Sequence, residues 1–197
     1  MKHVRLFADK IKDNLRTDII GREIVTLERT ESTMDIAKKM LKDGAIEGTT
    51  IFVEEQTQGR GRSGKEWFCK NGKGLLLTVV LRPAIQMENS YLLMVITAVA
   101  IVQTIRDMFK LPVDIDWPND LVINNKKLGG IIVETQDHTE QLRDYIVGIG
   151  INVNLKKHEL PDQIDQPATS LAIEKETLID RTNFAKALLQ NLDSWYL

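Results

Sequence analysis

The sequence is poor in the features that mark exported, membrane-bound or nucleic-acid-binding chains. One cysteine, Cys69, stands in 197 residues. No disulfide can form within the chain, and such cysteine usage fits a reducing compartment, with the cytoplasm expected. The N-terminus, Met1-Lys2-His3, carries no apolar signal-peptide core. The longest near-continuous apolar run, Tyr91 to Val102, is shorter than the ~20 residues a membrane-spanning helix needs. Neither export nor membrane insertion is expected. No sign of charge dominates: 26 Lys and Arg against 28 Asp and Glu leave a net charge of −2. No global positive field therefore draws the chain to DNA or acidic lipid, and any affinity for anions has to be local. The histidines, His3, His138 and His158, stand far apart without Cys or His neighbours at metal-ligand spacing, which argues against a zinc site. There is no internal repeat.

What the chain does have is a globular composition, 43% apolar and 27% charged, over a length suited to one domain of roughly 100 to 200 residues. Strand-like and helix-period segments alternate, as in a mixed α and β domain. Ile11, Leu15, Ile19 and Ile20 are spaced roughly as on a helix, with a strand-like run from Glu23 to Leu27 after Gly21. Glu31-Ser32-Thr33-Met34-Asp35 reads as a capping box opening a helix whose Met34, Ala37, Met40 and Leu41 face the core and which Gly44 stops. Strands are expected at Thr49 to Val53 and Leu75 to Leu81. The loop of about twenty residues between them is longer than compact domains tolerate without a functional reason. Tyr91 to Lys110 reads as a central buried helix, and Ile115 to Trp117 as a short strand ended by Pro118. Leu121 to Ile123 and Lys126 to Glu134 form a hairpin around Asn124-Asn125, because Asn tolerates the positive φ of two-residue turns. A strand over Tyr145 to Val153, a polar loop-like stretch from Lys156 to Glu176 and an amphipathic helix over Thr182 to Tyr196 follow.

The densest chemical signal lies in the long loop, Gln56-Thr57-Gln58-Gly59-Arg60-Gly61-Arg62-Ser63-Gly64-Lys65-Glu66-Trp67. Its glycines let backbone N–H groups turn toward a ligand, while Arg60, Arg62 and Lys65 supply charge suited to phosphate oxygens. The spacing is neither the G-x-x-x-x-G-K-[ST] phosphate loop nor the G-x-G-x-x-G dinucleotide fingerprint. A solvated basic loop is the alternative, and the adjoining Trp67 and Phe68 favour binding. A second cluster, Trp117-Pro118-Asn119-Asp120, precedes Lys127-Leu128-Gly129-Gly130, and the hairpin would bring the Asp120 carboxylate and the Lys127 ammonium together. In Gly148-Ile149-Gly150-Ile151-Asn152 the missing side chains leave room for a ligand or for a close strand crossing. Ser32 and Thr33 serve either as a helix cap or as ligand-binding hydroxyls.

Taken in order, these five motifs closely resemble the catalytic domain of biotin protein ligases, and the resemblance covers nearly the whole chain. It implies an α+β fold, a mixed β-sheet packed with helices of the kind shared by biotin and lipoate ligases and class II aminoacyl-tRNA synthetases. It also implies an ATP-dependent ligase that makes biotinyl-5′-AMP and transfers the biotinyl group to a lysine of a biotin carboxyl carrier protein. On this resemblance the biotin contacts are Ser32, Thr33, Gln56, Gly59, Arg60, Gly61, Arg62, Trp67, Lys127, Gly130, Gly148 and Gly150. The nucleotide contacts are Arg60, Arg62, Lys65, Asn119, Lys127 and Asn152. The residues carrying the chemistry are Lys127, Arg60, Arg62 and Asp120, with Asp120 also organising Mg²⁺ and standing as a candidate base for the acceptor lysine.

Arginines, a lysine and Mg²⁺ suit an attack by carboxylate on phosphorus, where negative charge spreads over phosphoryl oxygens. The chain departs from the pattern at Met34, where the family usually carries Asn, so apolar packing is expected to replace a polar contact. Residues 1–197 are expected to form a single catalytic domain. The small C-terminal β-domain of relatives is expected to be absent, as is an N-terminal helix-turn-helix, so no DNA partner is implied. Biotin, ATP and the carrier domain are the expected partners, with a homodimer as a candidate assembly. The rivals are a lipoate or octanoate ligase and a biotin-binding sensor without turnover.

Overall fold

A computed structural model describes residues 5–86, 89–137, 143–160 and 167–197. His3, His138 and residues 161–166 of the expected polar stretch lie outside the described residues. The chain runs α1 (Ala8–Lys12), β1 (Ile24–Thr30), α2 (Thr33–Lys42), β2 (Thr50–Gln56), β3 (Gly74–Leu81), α3 (Tyr91–Phe109) and β4 (Val113–Asp116). It continues with β5 (Asp120–Ile123), β6 (Lys126–Asp137), β7 (Arg143–Asn152), α4 (Leu171–Lys175) and α5 (Arg181–Tyr196). The strands form one mixed sheet of seven, ordered β1-β2-β3-β7-β6-β5-β4. β1 and β2 are parallel and every other neighbouring pair is antiparallel.

Strand β3 is buried at every position, as its apolar run Leu75-Leu76-Leu77 and Val79-Val80-Leu81 demands of a strand covered on both faces. Alternation then divides the sheet. Leu75, Leu77, Val79, Val147, Ile149 and Ile151 join the main core under α3 and α5. Val80 and Ile146 point the other way and pack with Met34 and Ala37 of α2. Asn124 and Asn125 take φ of 50° and 62°, the two consecutive left-handed residues of the expected tight hairpin turn.

The expected helical character of the first twenty residues is reduced to α1, which ends before Leu15. Ile11 and Ile20 are buried nonetheless. The chain between them is held by Asp193 of α5, whose carboxylate accepts from the N–H groups of Asp18, Ile19 and Ile20 at 2.7, 2.9 and 2.7 Å. Apolar spacing there reflects burial of an irregular segment and not a helical face. Helix α3 is likewise not buried all round: Leu93, Ala100, Ile101 and Ile105 face the core, while Tyr91, Leu92 and Met108 are exposed. It also continues past the apolar run to Phe109 and is long and apolar enough, by length and composition, to cross a membrane. Half of its most apolar stretch is covered by the fold. A fully buried ion pair, Arg181 to Glu54 at 2.8 Å, fastens the start of α5 to β2, and Arg181 also donates to the Gly74 carbonyl at 3.0 Å.

Candidate active site

On the α2 side of the sheet, β6 and β7 place glycines side by side. Gly130 is the ladder partner of Gly150, and Gly148 lies beside Thr78 and Ile132. The sheet surface is therefore hollow there, and a cavity of about 480 Å³ opens over it, within the range that takes a small-molecule ligand. The indole of Trp67 rests on this floor: a Cβ at Gly150 would fall 2.6 Å from Trp67 Cε2, and one at Gly130 3.5 Å from Cζ3. Glycine at 150 is thus a packing requirement. The sulfur of Met34 lies over Gly148, 2.9 Å from where a Cβ would be, so position 34 contributes an apolar contact to the cavity floor.

One end of the cavity is a fixed polar array. Gln56 Oε1 accepts from the Thr33 backbone N–H at 2.8 Å and from the Thr33 hydroxyl at 3.0 Å, and Thr78 donates to Thr33 Oγ1 at 2.7 Å. Because a backbone N–H can only donate, the Gln56 oxygen has to face Thr33, which turns the Nε2 donors away from it. Ser32 is the helix cap, its Oγ accepting from Met34 N at 3.3 Å, and it lines the cavity as well. The cap reading of Ser32 therefore holds, and both Ser32 and Thr33 line the cavity.

The other end is charged. Arg62 donates to Asn119 Oδ1 at 2.8 Å, Asn119 Nδ2 donates to Asp120 Oδ1 at 3.0 Å, and Lys127 Nζ meets Asp120 Oδ2 at 2.5 Å. The hairpin thus brings Lys127 to Asp120 as its spacing suggested. Within the long loop, residues 59–67 form a narrow hairpin. Trp67 N donates to the Gly59 carbonyl at 2.8 Å, Gly61 N to Lys65 O at 2.7 Å, and Arg60 bridges Glu66 through the backbone. Gly59 is the single expected site residue that does not line the cavity. It closes the neck of the hairpin, where a Cβ would collide with the Trp67 carbonyl.

Arg60 lines the cavity, but both of its terminal nitrogens are engaged by Asp35 of α2, at 2.7 and 2.8 Å. Asp35 is therefore not the returning acid of a capping box. The Arg60 guanidinium holds the Asp35 carboxyl below its ordinary range, and Asp35 in turn raises Arg60.

Among the described residues, two buried polar atoms at the cavity have no hydrogen-bond partner, Trp67 Nε1 and Asn152 Oδ1. One donor and one acceptor left unsatisfied at a cavity are groups a ligand would complete. The Asn152 amide nitrogen donates to the Thr169 carbonyl at 3.1 Å, Thr169 N donates to Lys127 O at 2.8 Å, and Lys127 N donates to Pro167 O at 2.6 Å. The segment after residue 166 thus braces both Asn152 and Lys127, and its Ala168 lines the cavity. Sequence reading missed this brace, together with Asp35, Thr78 and the apolar lining at Ile132 and Leu155. A Thr within an otherwise apolar strand was the available signal for Thr78. Cys69, beneath the loop, is buried, and burial pushes its thiol up to about 12.

The profile of the Biotin/lipoate A/B protein ligase family matches residues 26–152. The chain is 34% identical over 192 residues to the bifunctional ligase/repressor BirA of Bacillus subtilis. That alignment takes in 98% of this chain, and the chain spans 59% of the length of that relative. Among solved structures it is similar to the biotin protein ligase of Aquifex aeolicus in complex with biotin and ATP, with a TM-score of 0.77, 27% identity, and coverage of 89% of this chain and 70% of that one. It is also similar to the biotin protein ligase of Leishmania major in complex with biotinyl-5-AMP, with a TM-score of 0.74, 26% identity, and coverage of 87% and 74%.

Proposed function

The chain belongs to the biotin/lipoate A/B protein ligase family, and from that premise we propose that it activates biotin with ATP as biotinyl-5′-AMP. It then transfers the biotinyl group to a lysine of a biotin carboxyl carrier domain. The observation that carries this reading is the joining, in one cavity, of the Thr33–Gln56 polar array and the Arg62 and Lys127 cations across a glycine floor. A bicyclic urea with a carboxylate tail has its polar ring at one end and its acid at the other. The Gln56 Nε2 donors suit the ureido carbonyl, Met34 and Trp67 suit the apolar ring body, and Ser32 and Thr33 suit the ring N–H groups.

In the first step a carboxylate oxygen of biotin bonds to the α-phosphorus of ATP, and the bond to the bridging oxygen breaks to release pyrophosphate. Arg62, Lys65 and Lys127, which line the cavity, would take up charge on the phosphoryl oxygens, with Asn119 and Asn152 serving the nucleotide. In the second step the acceptor amine bonds to the acyl carbon and AMP leaves. That amine must first shed a proton, since a lysine of ordinary pKa near 10.4 is neutral in only about one molecule in 10³ at pH 7. Asp120 is the nearest carboxylate to Lys127, and protein-supplied covalent catalysis is not required.

The donors here do not form a resident magnesium site. Asp120 has both oxygens engaged, by Lys127 and Asn119, and no group of three or more carboxylate, His or Cys ligands occurs among the described residues. Magnesium entering on the phosphates of ATP, as part of the substrate, needs few protein ligands. The cytoplasm suits a chain whose one cysteine is an unpaired, buried thiol.

The deciding experiment is biotin-dependent exchange of labelled pyrophosphate into ATP, with lipoate in parallel. Exchange with biotin alone is expected. Exchange with lipoate alone would make the chain a lipoate-type ligase, and biotin binding without exchange would make it a sensor.

A further inference from the structure

The 59–67 hairpin is rooted in the fold at both ends. Thr57 and Gln58 donate backbone hydrogen bonds to Thr30 and Glu31 at 2.9 Å each, and β3 follows Trp67 after a short link. Its neck is closed by its own backbone bonds. Two side chains then reach sideways from it in different directions. Arg62 ties it to Asn119 at the start of β5, and Arg60 ties it to Asp35 in the first turn of α2. The hairpin supplies one wall of the cavity through Arg60, Gly61, Arg62, Lys65 and Trp67, the start of α2 supplies the facing wall through Ser32, Thr33 and Met34, and β5 and β6 supply the far end. The two ties therefore make the hairpin a strap across the ligand cavity.

The Asp35 end of this strap consumes the hydrogen-bonding edge of Arg60, NH1 to one carboxylate oxygen and NH2 to the other. A guanidinium held in this fork has its charge paired and its NH1–NH2 edge committed to the carboxylate, which fixes where the side chain lies. The holding partner lies on α2, and α2 is immobilised by its buried Met34 and Ala37.

We propose that Asp35 is a positioning residue that latches Arg60, and with it the 59–67 strap, across the cavity, so that the pair sets how long biotin stays bound. This inference rests on the reading that the cavity holds biotin. The Asp35 carboxyl lies below its ordinary range, so the latch is charged on both sides at neutral pH.

The test uses the full chain, Asp35→Asn, Arg60→Gln and the charge swap Asp35→Arg/Arg60→Asp. Biotin dissociation is followed by stopped-flow tryptophan fluorescence, and KM and kcat by pyrophosphate exchange. A partly exposed bidentate pair is worth about a fivefold change. Asp35→Asn and Arg60→Gln should each speed biotin release about fivefold and raise KM for biotin by a similar factor, with kcat changing less. The swap should bring both back to within about twofold of the parent. Equal release rates in the parent and Asp35→Asn, a loss confined to kcat, or a swap no better than the single variants would each overturn the latch. A parent chain without biotin-dependent exchange would overturn the functional reading instead, so the two failures are told apart by the parent alone.

Discussion

The three glycines of the cavity floor permit a graded test, because alanine adds the same methyl group to three different surroundings. At Gly130 the new Cβ meets Asp120 Oδ1 at 3.4 Å and Trp67 Cζ3 at 3.5 Å, ordinary contact distances. At Gly148 it meets Met34 Sδ at 2.9 Å and Ile132 Cγ2 at 3.3 Å, and a thioether can turn aside. At Gly150 it meets Cε2, Nε1 and Cζ2 of Trp67 at 2.6, 2.8 and 2.9 Å. A rigid indole cannot fold away, and its backbone is tied to Gly59 at 2.8 Å, so relief requires the hairpin to lift. Overpacking a filled site costs roughly 1–3 kcal/mol. Removing the excess freedom of glycine in the unfolded chain returns roughly 0.4–1 kcal/mol.

The balance is about zero for Gly130→Ala, a loss of up to ~1 kcal/mol for Gly148→Ala, and a loss of ~1–2 kcal/mol for Gly150→Ala. Urea denaturation read by circular dichroism measures the order as shifts in midpoint at constant slope. Gly150→Ala should also raise KM for biotin in pyrophosphate exchange, because the indole it displaces is a wall of the cavity. Equal midpoints for Gly150→Ala and Gly130→Ala, or a destabilised Gly150→Ala with unchanged biotin dependence, would refute the placement of Trp67 on β7.

Two further outcomes are expected. Lys127→Ala removes the cation that joins the hairpin to Asp120 and should slow adenylate formation on the order of 10²-fold in single-turnover assays; a loss under about threefold would reduce Lys127 to a hairpin residue. For Cys69, burial raises the thiol to about 12, so folding favours its protonated form. The stability it contributes is complete below the unfolded pKa, near 8.5, and is lost as pH climbs toward the folded value, at up to ~1.4 kcal/mol per pH unit. Cys69→Ala should therefore lose less stability than the parent between pH 8 and pH 10.5 in urea melts, and parallel losses would contradict the burial argument.

Much of the architecture is legible wherever the cause is local. Paired Asn residues dictate the β5–β6 turn, Ser32 caps α2 through the N–H two residues on, and an apolar run broken only by Thr78 places β3 in the sheet interior. The same locality explains the errors. Ile11, Leu15, Ile19 and Ile20 share a spacing that helices and buried loops both produce, and Asp193, far along the chain, decides between them. Asp35 satisfies the spacing of a capping acid, yet a bidentate arginine 25 positions later competes for it and wins, since a charged fork outweighs one backbone N–H.

By itself the sequence determined which residue types the site contains: interleaved glycine and arginine, a carboxylate and an ammonium seven positions apart, and strands carrying glycine where a ligand needs space. Those follow from chemistry readable along the chain. The tertiary structure decided what each one touches. Strand order set Gly150 beside Gly130, the hairpin laid Trp67 over both, and α2 brought Asp35 within reach of Arg60. Such adjacency depends on how distant segments are folded together, and no periodicity within a segment encodes it.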